Sequence, residues 1–207
     1  MTRVNRFIVL EGIDGSGKST QIKLLKQSLE DRGFRVFATR EPGGTVIGEK
    51  VRAILLDKAH SDMKLRTEAL LYAACRAQLV EEVILPRLTL GEIVLCERYV
   101  LSSLAYQAHG GGLDREWVVS INRFACNGVY PSLTILLDLD PYEHQCRMKG
   151  TDRIESRGLE YLRRVREGYL EEARLDPSVR VVSAAASVEE VHCAILWEAL
   201  SFLSGGQ

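Results

Sequence analysis

Residues 7–20 have the sequence FIVLEGIDGSGKST, in which a short apolar run passes directly into a glycine-rich stretch. The apolar run is typical of a buried strand. Gly12 to Ser19 match the pattern G-x-x-x-x-G-K-[ST], whose backbone N–H groups curl around phosphate oxygens. Ile22, Leu25 and Leu29 then recur at helical spacing. The stretch therefore predicts a strand, a phosphate-binding loop and a helix, in that order.

Four further apolar runs follow, separated by longer segments in which apolar residues recur at helical spacing. They are residues 34–38, 93–96, 133–137 and 179–182. Short strands that alternate with helices pair in parallel, because parallel strands need crossover connections that cover both faces of the sheet. The sequence predicts an α/β fold of three layers, with a five-stranded parallel sheet and helices on both faces, in which residues 1–207 form a single domain. In such sheets ligands gather at the carboxyl ends of the strands.

The charge balance and the hydropathy argue against a polyanionic or a membrane partner. Lys and Arg together number 27 against 28 for Asp and Glu, so no net field attracts a nucleic acid. No apolar run approaches the ~18 residues that span a bilayer, and the polar first residues give no export signal. We therefore expect a cytoplasmic protein that recognises phosphate locally, with neither nucleic acid nor membrane as a partner.

The cysteines are scattered and include no C-x-x-C pair. They are Cys75, Cys96, Cys126, Cys146 and Cys193. An odd number at irregular spacing argues against a disulfide framework and against a zinc site. We expect buried, reduced thiols.

The glycine-rich loop predicts nucleotide binding. In such loops the lysine reaches the β- and γ-phosphates of a nucleotide and the following hydroxyl ligates Mg²⁺, which are the roles expected of Lys18 and Ser19. The loop alone does not separate kinases from GTPases, ATPases or motors, but no guanine-reading Asn-Lys-x-Asp occurs, which disfavours a GTPase. The residues predicted to bind ATP are Gly12, Ile13, Asp14, Gly15, Ser16, Gly17, Lys18, Ser19, Thr20 and Arg147.

Three further segments follow predicted strands in a characteristic order. Thr39–Thr45 comes after the second strand, Glu97–Tyr99 after the third, and Ser102–Gln107 soon afterwards. With the phosphate loop, their order and spacing resemble the bacterial branch of the thymidylate kinase family over nearly the whole chain. The resemblance implies a P-loop kinase fold with a small mobile lid, transfer of the γ-phosphoryl group of ATP to dTMP with Mg²⁺, and a homodimer.

The resemblance also implies how the acceptor phosphate is held. Arg98 would grip the phosphate of dTMP in bidentate fashion and Arg40 would support that region, although either arginine alone could be a surface ion pair. Asp14 would accept a hydrogen bond from the 3′-hydroxyl or contact metal-bound water, and could also stabilise the loop as an Asx turn. Glu97 departs from the aspartate more usual in the family and, with Ser19, would position Mg²⁺ or its waters.

The base pocket is predicted from two helical pairs. Tyr72 and Arg76 are four residues apart on one helix face, so the resemblance assigns the ring to stacking and the guanidinium to a base carbonyl. Without it, core packing and a surface arginine would be the more common roles. Tyr106 would pack near the sugar and Gln107 would contact the base. The residues predicted to bind dTMP are Asp14, Arg40, Glu41, Pro42, Arg52, Tyr72, Arg76, Arg98, Ser102, Ser103, Tyr106 and Gln107.

A basic segment predicts a lid at residues 147–158. Seven basic residues and three acidic ones lie between Arg147 and Arg166, an excess of four positive charges. Some family members place a catalytic arginine inside the phosphate loop, where this chain has Gly15. The resemblance therefore shifts that role to Arg153, with Arg147 as second choice, and predicts that Arg153→Ala lowers kcat with little change in dTMP affinity.

The predicted mechanism is direct in-line transfer by positioning and charge. Its predicted catalytic residues are Asp14, Lys18, Glu97, Arg98 and Arg153. Two alternatives stay open at this point. One is a kinase for another nucleoside monophosphate, and the other is a nucleotide-binding regulatory protein without turnover, for which Glu97 is the one encouragement.

Overall fold

Five parallel strands form the sheet in the computed structural model, which describes residues 3–143, 153–154 and 157–204. The strands are β1 (Arg3–Glu11), β2 (Val36–Arg40), β3 (Ile93–Glu97), β4 (Tyr130–Asp138) and β5 (Val179–Ser183). Their order in the sheet is β2-β3-β1-β4-β5, and every adjacent pair is parallel. The predicted α/β fold is confirmed, although β2 lies two residues later than predicted and β1 begins four residues earlier.

Helices connect the strands and cover both faces of the sheet. They are α1 (Lys18–Glu30), α2 (Val46–Leu56), α3 (Leu65–Leu79), α4 (Leu85–Thr89), α5 (Val100–Ser103), α6 (Arg115–Cys126), α7 (Leu159–Leu175) and α8 (Val188–Ser204). A 3₁₀ turn spans Lys58–His60, a π-helical segment at Val80–Ile84 joins α3 to α4, and a second at Leu104–Gly110 continues α5. None of the helices in these described ranges is long and apolar enough to cross a membrane.

Alternate side chains of β1 face the two helical layers. Ile8 and Leu10 pack into the larger core cluster with Leu25 of α1, whereas Phe7 and Val9 pack into a second cluster. Side chains of a strand point alternately to opposite faces, so the central strand is buried on both sides. This explains why its sequence is a continuous apolar run rather than an alternating one.

The phosphate loop needs glycine where it leaves β1. Gly12 has φ 140°, and a Cβ there would lie 2.5 Å from the carbonyl oxygen of Leu137 on the neighbouring strand. Gly17 is left-handed, with φ 90°, at the residue before α1 begins. Any side chain at Gly12 would therefore displace β4 or the loop.

Three of the four described cysteines agree with the expectation of buried thiols. Cys75, Cys96 and Cys126 are buried, and all four are free of disulfides. The expectation is wrong for Cys193, which is exposed on α8. Cys146 lies outside the described residues.

Candidate active site

The phosphate loop holds its lysine in a buried position. Lys18 has only 3% of its side chain exposed, and its Nζ donates to the carbonyl oxygen of Ile13 at 2.8 Å and lies 3.9 Å from Asp14 Oδ1. Burial, with the nearby positive charge of Arg98, lowers the pKa of Lys18 to about 8. The hydroxyl of Ser16 is also buried and has no hydrogen-bond partner within the described ranges. A buried polar atom without a partner in a glycine loop suits a ligand that brings its own oxygens.

Two oxygen-bearing side chains meet beside this loop. Ser19, in the first turn of α1, donates its hydroxyl to Oε2 of Glu97 at the end of β3, at 2.7 Å. A hydroxyl and a carboxylate are ligands that Mg²⁺ accepts, and Mg²⁺ usually takes only one or two protein groups beside water and phosphate. Among the described residues, no group of three or more His, Cys, Asp or Glu side chains could hold a metal. The pair therefore fits a magnesium ion shared with a nucleotide.

Arg98 occupies the end of β3, opposite the phosphate loop. Its φ of 67° is uncommon for a residue with a side chain, and such backbone outliers concentrate at functional sites. One side of its guanidinium donates to Asp14 Oδ1 at 2.6 Å and to the Tyr106 hydroxyl at 3.3 Å. The other side donates to Ser102 at 3.2 Å and to Tyr169 at 3.1 Å. The guanidinium is thus held beside the phosphate loop from several directions.

Glu11 supports this arrangement and was not among the predicted site residues. Its fully buried carboxylate accepts hydrogen bonds from the Ser102 hydroxyl at 2.6 Å, from the Tyr99 N–H at 2.8 Å and from the Tyr169 hydroxyl at 3.1 Å. Burial raises the pKa of Glu11, while these hydrogen bonds and the charge of Arg98 oppose the shift. Glu11 therefore anchors the start of α5, and with it Ser102 and the surroundings of Arg98.

A single cavity of about 140 Å³ lies between these groups. Its wall includes every residue predicted to bind the acceptor and both predicted metal ligands. The residues of the wall are Asp14, Ser19, Arg40, Glu41, Pro42, Arg52, Leu56, Tyr72, Arg76, Glu97, Arg98, Ser102, Ser103, Tyr106, Gln107 and Ile154. Of these, Leu56 and Ile154 were not predicted, since nothing distinguishes them in the sequence from ordinary core residues.

Arg76 lies in the cavity wall, but its guanidinium donates all its hydrogen bonds to other groups of the protein. Its Nε and one Nη2 hydrogen engage Glu41, its Nη1 donates to Ser103 at 3.0 Å and to Asn122, and Nη2 also donates to the carbonyl oxygen of Tyr99 at 2.9 Å. A guanidinium has five N–H donors, and these contacts use all of them. In this arrangement Arg76 orders the wall of the cavity rather than presenting an unused donor to it.

Two other predicted arginines hold the β2–α2 connection. Arg52 donates to the carbonyl oxygen of Pro42 at 2.8 Å, which ties α2 to the connection. Arg40 pairs with Glu49 at 2.9 Å and is about half exposed, as expected of a surface ion pair. Both still border the cavity.

The structure does not bring Arg153, the first choice for the lid arginine, to the phosphate loop. Arg153 has only 5% of its side chain exposed, and it donates to Glu68 Oε2 at 2.6 Å and to the carbonyl oxygen of Leu55 at 2.7 Å. Its neighbour Ile154, rather than Arg153 itself, faces the cavity. Arg147 lies outside the described residues, as does most of the predicted lid.

Comparison with known proteins identifies relatives along almost the whole chain. Residues 10–195 match the family model described as thymidylate kinase. A thymidylate kinase of Pelotomaculum thermopropionicum is 49% identical over 196 residues, which cover 92% of this chain and 91% of the relative. A thymidylate kinase of Symbiobacterium thermophilum is 50% identical over 188 residues, which cover 89% of this chain and 88% of the relative. A probable thymidylate kinase of Pyrococcus horikoshii is 44% identical over 195 residues, covering 92% and 93%.

Proposed function

This chain belongs to the thymidylate kinase family, and we propose that its cavity is where ATP and dTMP meet. The enzyme transfers the γ-phosphoryl group of ATP to the 5′-phosphate of dTMP, giving ADP and dTDP. One observation carries the proposal for the site. The phosphate loop, through Asp14 and Ser19, and Arg98 border the same cavity at the carboxyl ends of β1 and β3. A donor and an acceptor phosphate can therefore face one another there.

The reaction needs positioning and charge more than covalent chemistry. Lys18 and the N–H groups of the loop hold the β- and γ-phosphates of ATP, and Arg98 holds the phosphate of dTMP. Asp14 bonds to Arg98 Nη2 at 2.6 Å and so links the two halves of the site. The acceptor oxygen then lies in line with the γ-phosphorus, and the guanidinium of Arg98 offsets repulsion between the two anions.

We propose Mg²⁺ as the metal, with Ser19 and Glu97 as its protein ligands. When bound, the ion supplies positive charge to the β- and γ-phosphates. Glu97→Gln keeps the size of the side chain but removes its charge, so the Mg²⁺ concentration for half-maximal rate should rise by about tenfold. Glu92→Gln, which alters a carboxylate paired with Arg87, is the matched control. An unchanged Mg²⁺ requirement in Glu97→Gln would remove Glu97 from the metal site.

The acceptor is tested by a coupled ADP-release assay with ATP and Mg²⁺. The panel contains dTMP, dUMP, dGMP, dCMP and AMP. We expect the highest kcat/KM for dTMP, because Tyr72, Tyr106 and Gln107 border the cavity and offer a pyrimidine ring aromatic contacts and a hydrogen-bonding amide. Preference for another acceptor would overturn the assignment of the cavity to dTMP, and ATP binding without ADP formation would favour a regulatory protein.

We also propose that the enzyme is a homodimer and that the predicted lid supplies an arginine to the transferring group. Exposed apolar side chains on three neighbouring helices support the first proposal, among them Leu70 on α3 and Phe124 on α6. The unusual density of basic residues from Arg147 to Arg166 supports the second. A cytoplasmic location stays a prediction.

A further inference from the structure

Glu68 joins the base pocket to the segment before α7. It lies on α3, one helical turn before Tyr72, and its side chain is fully buried. Oε1 accepts a hydrogen bond from Nε2 of Gln107 at 3.1 Å. Oε2 accepts from Nη2 of Arg153 at 2.6 Å and from Nη2 of Arg157. The carboxylate thus binds three side chains from two other parts of the chain.

The bond from Glu68 fixes which half of the Gln107 amide faces Glu68. A carboxylate accepts hydrogen bonds and does not donate them, so only the NH₂ group of Gln107 can face it. Gln107 has only 2% of its surface exposed and borders the acceptor cavity. Its amide oxygen is therefore the half of the group that is left to accept a hydrogen bond from a ligand.

An amide oxygen distinguishes pyrimidines by the atom at ring position 3. Thymine and uracil carry a hydrogen on N3 and can donate to such an oxygen. Cytosine has a bare nitrogen at that position, so an oxygen facing it would leave two acceptors in contact in a desolvated pocket. Sites built around a required hydrogen bond discriminate strongly against a partner that cannot make it.

We propose that Glu68 is a positioning residue that sets the choice of base, by holding Gln107 with its oxygen turned towards the cavity. The inference rests on the proposed function, because it takes the cavity as the site of the dTMP base. Glu68 touches no substrate and acts through Gln107. Its ion pairs with Arg153 and Arg157 determine how a substitution at Glu68 behaves.

Replacement of Glu68 by glutamine should turn the Gln107 amide around. The two guanidinium groups only donate, so the oxygen of a glutamine at this position must face Arg153 and Arg157. The NH₂ group of the new glutamine then faces Gln107, which can accept its hydrogen bond only through the amide oxygen. The NH₂ group of Gln107 is left towards the cavity, where it suits the bare N3 of cytosine and opposes the N3–H of thymine.

The test measures kcat and KM for dTMP, dUMP and dCMP in the wild-type enzyme, in Glu68→Gln and in Arg157→Gln. In Glu68→Gln we expect the dTMP to dCMP ratio of kcat/KM to fall by about tenfold or more, with a gain for dCMP itself. The dTMP to dUMP ratio should stay within about twofold, because both bases carry the same N3–H. Arg157→Gln, which disturbs the same carboxylate without touching Gln107, should keep both ratios.

A double-mutant cycle separates this role from general damage to the fold. In a Gln107→Leu background, adding Glu68→Gln should leave the dTMP to dCMP ratio unchanged, because no amide remains to be turned. A further fall in that background, or an unchanged ratio in Glu68→Gln alone, would overturn the inference. If thermal unfolding shows that Glu68→Gln does not fold, Glu68→Asp takes its place: its side chain is one methylene shorter and no longer reaches the Gln107 amide, so the dTMP to dCMP ratio should again fall, and an unchanged ratio would overturn the inference. A wild-type enzyme that fails to prefer dTMP would instead contradict the proposed function.

Discussion

Of the side chains proposed to bind dTMP, Arg98 is the one whose removal should lower kcat/KM for dTMP most. Each charge-assisted hydrogen bond contributes about 1.5–3 kcal/mol, so losing the two bonds of a bidentate grip on phosphate removes about 3–4 kcal/mol if each contributes near the lower end of that range. We expect Arg98→Ala to lower kcat/KM for dTMP by about 10²–10³-fold, measured by steady-state ADP release. Arg180→Ala, which removes a half-exposed arginine paired with Glu198, is the control and should leave kcat/KM unchanged. A similar loss in both variants would contradict a specific role.

The buried ammonium of Lys18 gives ATP binding a pH signature. Because the pKa of Lys18 is lowered to about 8, the group is charged below that pH and largely neutral above it. ATP favours the charged form, so binding at pH 9 should take up about one proton, and the uptake should fall towards zero at pH 7. Calorimetry in buffers of different ionisation enthalpy measures this uptake. Lys18→Arg keeps the charge at both pH values and should abolish it, whereas equal uptake by both proteins would contradict the assignment.

At the scale of helices and strands, Arg153 ties the segment before α7 to α2 and α3. In the structure Arg153 bridges Glu68 of α3 and the last carbonyl groups of α2, so it must leave a buried ion pair to reach a phosphate. The proposed charge role predicts that Arg153→Ala lowers the single-turnover rate by orders of magnitude, with little change in dTMP affinity. A rapid-quench experiment measures that rate. An unchanged rate with a lowered melting temperature would leave Arg153 as the partner of Glu68 alone.

The elements that could be predicted from the sequence are those whose interacting residues lie close together along the chain. The β1–loop–α1 unit could be predicted because strand, glycines and helix are consecutive in the chain. Arg40, Glu97 and Arg98 could be placed at one edge because they lie at strand ends that parallel pairing brings together, whereas Tyr72 and Arg76 of α3 were assigned only through the family resemblance. Glu11 and Tyr169 could not be predicted, since their hydrogen bond joins residues 158 positions apart and neither position has a local signal. The same holds for Glu68, whose neighbours in sequence give no hint of Arg153.

At the level of the whole molecule, the outward faces of α2, α3 and α6 predict self-association. Phe124 is 86% exposed and Leu70 is 50% exposed, an unusual state for side chains of this size, and burying them in a second copy would remove their contact with water. We expect light scattering to find a mass of about 46 kDa, twice the 23.2 kDa of the chain.

Phe124→Glu should shift the protein to the monomer mass at micromolar concentration, because a dimer would have to bury the new carboxylate. Trp197→Glu places the same charge at a 66% exposed aromatic on α8 and should leave the dimer intact. If both variants stay dimeric, the interface lies elsewhere, and if the wild-type chain is already a monomer, the exposed apolar residues of these helices have another role.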